Sequence, residues 1–182
     1  MKITVVTGNP HKVDEVASFF SGIAQIEQVD CEIPELRHDD VRSVARAKAE
    51  TAWNLLRRPL IVDDTGFFVP ALNGFPGTCA AYCMKTIGNG GILKLLEGEA
   101  DRSAYFETAI AYASPEGIEV FTGRIDGIIT GAPRGLGGFG YDPIFLFDTR
   151  TLAELPLSEK SAVSHRGKAL ALFRDWFVSR GD

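Results

Sequence analysis

Short apolar runs alternate along the chain with longer stretches whose apolar residues recur every three or four positions. Ile3, Val5 and Val6 lie in a run that ends at Thr7-Gly8-Asn9-Pro10, a buried strand entering a turn. Positions 11–21 then carry Val13, Val16, Ala17 and Phe20 on the period of an amphipathic helix. Positions 26–31 read as a second strand. Val41, Val44, Ala45, Ala52, Leu55 and Leu56 trace a longer helix, which must stop before Pro59. Pro59-Leu-Ile-Val-Asp-Asp64 is a third strand.

Strand, helix, strand, helix, strand predicts parallel pairing with right-handed crossovers, and ligands then bind beyond the carboxyl ends of the strands. A helical patch follows at positions 92–96. Two extended runs at 103–114 and 118–130 flank the turn Pro115-Glu116-Gly117, which predicts a long antiparallel hairpin. A glycine-rich loop, a short strand at 144–147 and a last helix facing inward through Ala169, Leu172, Phe173 and Trp176 complete the chain. The predicted fold is α/β: a mixed, mainly parallel twisted sheet flanked by helices. Glycine and proline punctuate the chain without splitting it, so residues 1–182 read as a single domain.

Composition narrows the function classes. With 182 residues, 45% hydrophobic and 24% charged, the chain is neither disordered nor fibrous. Its net charge of -5 disfavours duplex nucleic acid, which is held mainly by phosphate neutralisation. The first strand is too short for a signal peptide and there is no membrane-length apolar run, so a cytoplasmic location without a membrane partner is expected. Cys31, Cys79 and Cys83 contain no CxxC, and His11, His38 and His165 lie far apart, which argues against zinc; the cysteines read as small buried hydrophobes.

Several polar positions need a chemical account. Thr7-Gly8-Asn9-Pro10-His11-Lys12 lies where a strand becomes a helix, so backbone amides and the helix N-terminus can meet an anion, with Lys12 adding a full charge. A plain turn with a solvated lysine fits the same residues, and the P-loop pattern is absent. Asp63 and Asp64 close the third strand and point to opposite faces; one can enter a site while the other caps a turn or meets solvent. Glu35 follows the second strand, and with one aspartate it would suffice for magnesium. Lys48 lies on the apolar stripe of the long helix, where it snorkels or reaches an anion. The loop 135–140 formally fits GxGxxG, but Tyr141-Asp142-Pro143 follows in place of a cofactor helix, so a dinucleotide site is rejected. Phe139 there suits stacking on a base, or filling the core. Ser164 is a plausible N-cap, which leaves His165 and Arg166 in a first helical turn where cations are disfavoured without an acceptor.

Six blocks in order, TGNPHK (7–12), IPEL (33–36), VDDTGF (62–67), LNGFPG (72–77), GGFGYDPIF (137–145) and AELPLSEKSAVSHRGKAL (153–170), are distributed along essentially the whole chain. In them the chain resembles the inosine triphosphate pyrophosphatase family, also called Ham1-like or noncanonical purine nucleoside triphosphate pyrophosphatases. The resemblance implies magnesium-dependent hydrolysis of ITP, dITP and XTP to the monophosphate and pyrophosphate, clearing deaminated purines from the nucleotide pool. It implies that Thr7, Gly8, Asn9, Lys12 and Lys48 hold the triphosphate. Glu35 and Asp64 would hold the metal, with Asp64 also the candidate general base. Thr65, Phe139, Gly140, Tyr141, Asp142, Lys160, His165 and Arg166 would contact the substrate, and a homodimer is implied.

Donors facing a 6-oxo purine would be left unpaired by adenine, and such mismatches reach roughly 10⁴-fold; excluding GTP must depend on the 2-position. Two departures stand out. Ala81 occupies a position where many relatives have a basic residue, and Ser43 lies near where bacterial relatives carry a glutamate, so Glu35 follows another branch of the family. The hairpin aromatics Tyr105, Phe106, Tyr112 and Phe121 are candidates for an exposed dimer patch or for core. Competing readings are a Maf-like pyrophosphatase for another base such as dTTP, a silent nucleotide-binding module, and a phosphate-releasing NTPase.

Overall fold

The computed structural model describes residues 2–34 and 36–180, so Glu35 lies outside the described residues. The strand-helix alternation gives β1 (Lys2–Val6), α1 (Pro10–Phe19), β2 (Gln25–Val29), α2 (Val41–Leu56) and β3 (Leu60–Phe68). Next come β4 (Pro76–Gly77), α3 (Ala80–Thr86), α4 (Gly88–Leu95) and the hairpin of β5 (Ser103–Ser114) with β6 (Gly117–Ile129). The chain closes with β7 (Phe145–Phe147), β8 (Arg150–Thr151), α5 (Leu157–Val163) and α6 (His165–Ser179).

One sheet runs β2-β1-β3-β5-β6-β7-β8, with β4 beside the end of β3. The mixed α/β class stands, with parallel pairing confined to β2-β1-β3. After β3 the chain returns through hairpins and short connections, so β5 to β8 pair antiparallel.

Local chemistry fixes the helix ends. Asn9 caps α1 by accepting from the His11 N–H, with Pro10 at the first helical position. Asp40 caps α2 through the Arg42 and Ser43 N–H groups, and the Ser43 hydroxyl donates to the same carboxylate at 2.8 Å. Arg57, in the left-handed region, ends α2 two residues before Pro59. Ser164 caps α6 as predicted, accepting from the Gly167 N–H at 3.0 Å.

Helix α2 buries Val41, Ala45, Ala49 and Ala52 against Leu60 and Val62 of one sheet face. On the other face α6 packs Ala169, Leu170, Phe173 and Phe177 against Ile61 and Ile110. Leu172, expected inward, is exposed, and Trp176 is only half-buried. The buried stripe is 169, 170, 173 and 177, and Leu172 falls to its side. Of the hairpin aromatics, Phe106 is buried, and Tyr105, Tyr112 and Phe121 are half-buried against Phe68 and Phe173, as the core alternative has it. Of the cysteines, only Cys83 is buried, and Cys79 is exposed; Cys79 lies at the solvent-facing entry to α3, outside the core stripe.

Two glycines set the start of α6. A Cβ on Gly123 would lie 2.1 Å from the His165 carbonyl oxygen, and one on Gly167 would lie 1.7 Å from that of Ser161. The first turn of α6 therefore sits directly on β6 and α5, which carries His165 and Arg166 inside the protein.

Candidate active site

The site is built where β3 outruns its parallel neighbour. β1 pairs only with Leu60 and Ile61, and β4 joins at Phe67 and Phe68, so Val62 to Gly66 have a strand partner on the β5 side alone. The strand thus continues past Asp63 and Asp64 rather than ending there. Their side chains leave on opposite faces beside an open edge, and both take part in the cleft. Asp63 neither caps a turn nor meets bulk solvent: it binds Lys12 at 2.6 Å and Arg166 at 2.8 Å. Asp64 binds Lys48 at 2.7 Å from the α2 face.

Behind this edge lies a buried ionic network. The Arg166 side chain, 2% exposed, donates to Glu15 at 2.7 Å, to Asp63 at 2.8 Å and to the Thr65 hydroxyl at 3.2 Å. Lys160 bridges Asp142 at 2.7 Å and Glu15 at 3.3 Å. Burial alone would raise the Asp63 carboxyl, yet the Lys12 and Arg166 cations hold it far below the usual carboxylate range. Burial of Arg166 is overcome in the same way by Asp63 and Glu15, which keep the guanidinium charged.

From Arg166 a hydroxyl relay runs across the sheet. Thr65 and Thr108 are cross-strand partners whose hydroxyls lie 2.6 Å apart, and Thr108 lies 2.6 Å from His165 Nδ1. Arg166 can only donate, so Thr65 accepts from it; its second lone pair and its own proton leave the Thr65–Thr108–His165 chain compatible with either tautomer of the imidazole. Burial, reinforced by the Arg166 and Lys160 charges, holds the imidazole well below its ordinary pKa, so it is neutral.

A cavity of about 370 Å³ opens over these groups, lined by Phe106, Phe139, Lys160, His165 and Arg166 among others. Phe139 stacks on His11, with ring centroids 5.1 Å apart, and Lys160 sits 4.3 Å from the Phe139 centroid. Gly140 lines the same space. Tyr141 and Asp142 brace it: the Tyr141 ring stacks on Phe67 and its hydroxyl donates to the Ala80 carbonyl, while Asp142 accepts from the Phe139 N–H and Lys160. A second cavity, about 570 Å³, holds Thr7, Gly8, Asn9, Lys12, Lys48 and Asp63. The predicted phosphate turn and the predicted base pocket are therefore contiguous. Asn9, Lys12, Ala81 and Lys85 line both.

Among the described residues no cluster of three or more His, Cys, Asp or Glu side chains is arranged for a metal. Asp64 nevertheless fits a hard cation. Its Oδ2 is buried and has no hydrogen-bond partner, while Oδ1 is held by Lys48. One such carboxylate with phosphate oxygens can hold magnesium. Burial, the largest influence, outweighs Lys48 and raises the Asp64 pKa.

The predicted site residues among those described line these two contiguous cavities, except Asp64, which lines a third beside Val44 and Thr78 and is joined to them through Lys48. The structure also adds Glu15, Asp63, Thr108 and His11. The signal for the first two was arithmetic: Lys12, Lys160 and Arg166 placed in one interior volume require carboxylates to match.

The Ham1 family profile matches residues 3–176. A dITP/XTP pyrophosphatase of Thermococcus kodakarensis is 46% identical over 180 residues, covering 97% of each chain, and one of Methanopyrus kandleri is 47% identical over 182 residues, covering 97% of this chain and 96% of its own. Among solved structures, the Staphylococcus aureus Ham1 protein superposes with a TM-score of 0.86 at 27% identity, over 99% of this chain and 100% of that one. A nucleoside-triphosphatase / dITP/XTP pyrophosphatase from Mycobacterium abscessus gives 0.75 at 34% identity, over 95% and 98%.

Two outcomes follow from the network. Glu15→Gln leaves Arg166 and Lys160 undercompensated and is expected to lose about 3 kcal/mol in urea unfolding; an unchanged midpoint would contradict the charge pairing. His165, its folded pKa lowered, refuses a proton that the unfolded chain accepts below about 6.5. Stability therefore falls as pH drops from 7.5 to 5.5, and the slope is expected to shrink in His165→Asn; an equal slope would show that His165 protonates freely in the folded protein.

Proposed function

The chain belongs to the Ham1 family and is a nucleoside triphosphate pyrophosphatase, and we propose that it converts ITP, dITP and XTP to the monophosphate and pyrophosphate with magnesium. The observation that carries this reading is the placement of Lys160, His165 and Arg166 together in an aromatic cavity joined to the phosphate turn. Lys160 and Arg166 can only donate, which favours a purine whose 6-position accepts. Adenine offers an amino donor there and leaves the site unpaired.

Hydrolysis replaces one phosphorus–oxygen bond of the α–β anhydride with a bond to water oxygen. The pyrophosphate departs with the bonding pair, and the water proton passes to the Asp64 carboxylate. A carboxylate raised by burial is the better proton acceptor. Lys12, Lys48 and the amides of the Thr7 turn bind phosphate oxygens, and Phe139 with the Gly140 backbone covers the base. Magnesium, when bound at Asp64 and Glu35, supplies charge neutralisation at the phosphates. No described helix is long and apolar enough to cross a membrane, and a cytoplasmic nucleotide pool is the proposed setting. A homodimer is proposed as well; sedimentation of a 19.8 kDa species at micromolar concentration would remove it.

The test is product analysis by anion exchange of ITP, dITP, XTP, GTP, ATP and dTTP incubated with magnesium. We expect monophosphate plus pyrophosphate from the first three, with the rate falling ~10²-fold or more in Asp64→Asn. Diphosphate plus phosphate would overturn the reading, and turnover of dTTP alone would favour the Maf-like alternative.

A further inference from the structure

The fixed cations facing the cleft are nearly all spoken for by the protein itself. Lys12 is paired with Asp63, Lys48 with Asp64, Lys160 with Asp142 and Glu15, and Arg166 with Glu15 and Asp63. Four cations thus face four carboxylates, Glu15, Asp63, Asp64 and Asp142, and the resting cleft presents no net charge to a polyanion from these groups. Lys85 differs. It is exposed, it lines both cavities, and among the described residues it makes no ion pair or side-chain hydrogen bond.

Its position is also fixed by construction. Ala81 and Lys85 are four residues apart on α3, hence on one helical face, and both border the seam between the base cavity and the phosphate cavity. The methyl group of Ala81 leaves that seam open for the longer side chain one turn further on. α3 is anchored at its start by the Tyr141 hydroxyl on the Ala80 carbonyl, and the start of α4 is anchored by Asn89 on the Gly140 carbonyl at 3.1 Å. The helix carrying Lys85 is therefore tied at both sides to the loop that forms the base cavity.

We propose that Lys85 is a binding residue for the polyphosphate chain, supplying at the seam the uncompensated positive charge that the paired cations of the cleft do not. This rests on the pyrophosphatase reading for the identity of the substrate, but the chemistry it assigns to Lys85 is recognition of a linear polyphosphate anion. A lysine in the last turn of a helix also complements the helix dipole. That role alone would move stability and leave anion affinity untouched.

The experiment pairs dITP kinetics with calorimetric titration of inorganic tripolyphosphate, using the wild-type protein, Lys85→Met and Lys85→Arg, with thermal midpoints measured alongside. We expect Lys85→Met to weaken tripolyphosphate binding and raise KM for dITP by ~10-fold, the order of one charge-assisted contact, with kcat changed less than KM and Lys85→Arg close to wild type. Unchanged affinity and KM in Lys85→Met, with or without a shifted midpoint, would overturn the assignment. Wild-type protein that binds tripolyphosphate through Lys85 but turns over no dITP would sustain the assignment and refute the pyrophosphatase reading instead.

Discussion

The rest of the site hangs on one buried cation. Arg166, among the most buried large side chains of the protein, is held in place by Glu15 from α1 and Asp63 from β3. An unpaired guanidinium at that depth would not be tolerated, whereas with both carboxylates it becomes a rigid bolt between the first helix, the central strand and the last helix. Glu15 extends the same constraint to Lys160, and Asp142 extends it from Lys160 to the backbone at Phe139. Elements far apart in sequence are thereby locked around one cavity.

That arrangement makes the cleft selective rather than merely attractive. Because the cations are matched by carboxylates, the base cavity offers directed donors without a large field of one sign. The Thr65–Thr108–His165 chain then fixes the orientation of the imidazole by holding Nδ1. In the proposed function, preorganised donors of this kind need no rearrangement when a carbonyl-bearing purine arrives. The phosphate side is built differently, from a turn, a helix N-terminus and lysines on the open edge of β3.

Much of this was legible in the sequence where a local rule governs. The first strand, the turn from Thr7 to Pro10, the long helix ending before Pro59, the hairpin and the Ser164 cap all follow from periodicity, proline geometry and capping. The predicted site residues were legible through six ordered motifs, except Lys48, which stands out by its place on the apolar stripe of the long helix. What stayed hidden depends on pairing across the sheet. Asp63 looked like a strand terminus because nothing local shows that β3 runs on to Phe68 with a free edge. Nothing near Glu15 in sequence marks it, since its cations lie some 145 to 151 residues away along the chain. Leu172 misled because a helix buried by an adjacent pair, Ala169 and Leu170, turns its stripe away from the position that simple spacing favours.

The most direct measurement is a crystal structure of the protein with magnesium and a nonhydrolysable dITP analogue. The account predicts the triphosphate along the Thr7 turn, Lys12 and Lys48, the cation on Asp64 Oδ2, the base against Phe139, and the purine 6-oxygen within hydrogen-bond distance of a donor from His165, Lys160 or Arg166. A base lodged outside that cavity, or a 6-oxygen with no donor from these three residues, would contradict it.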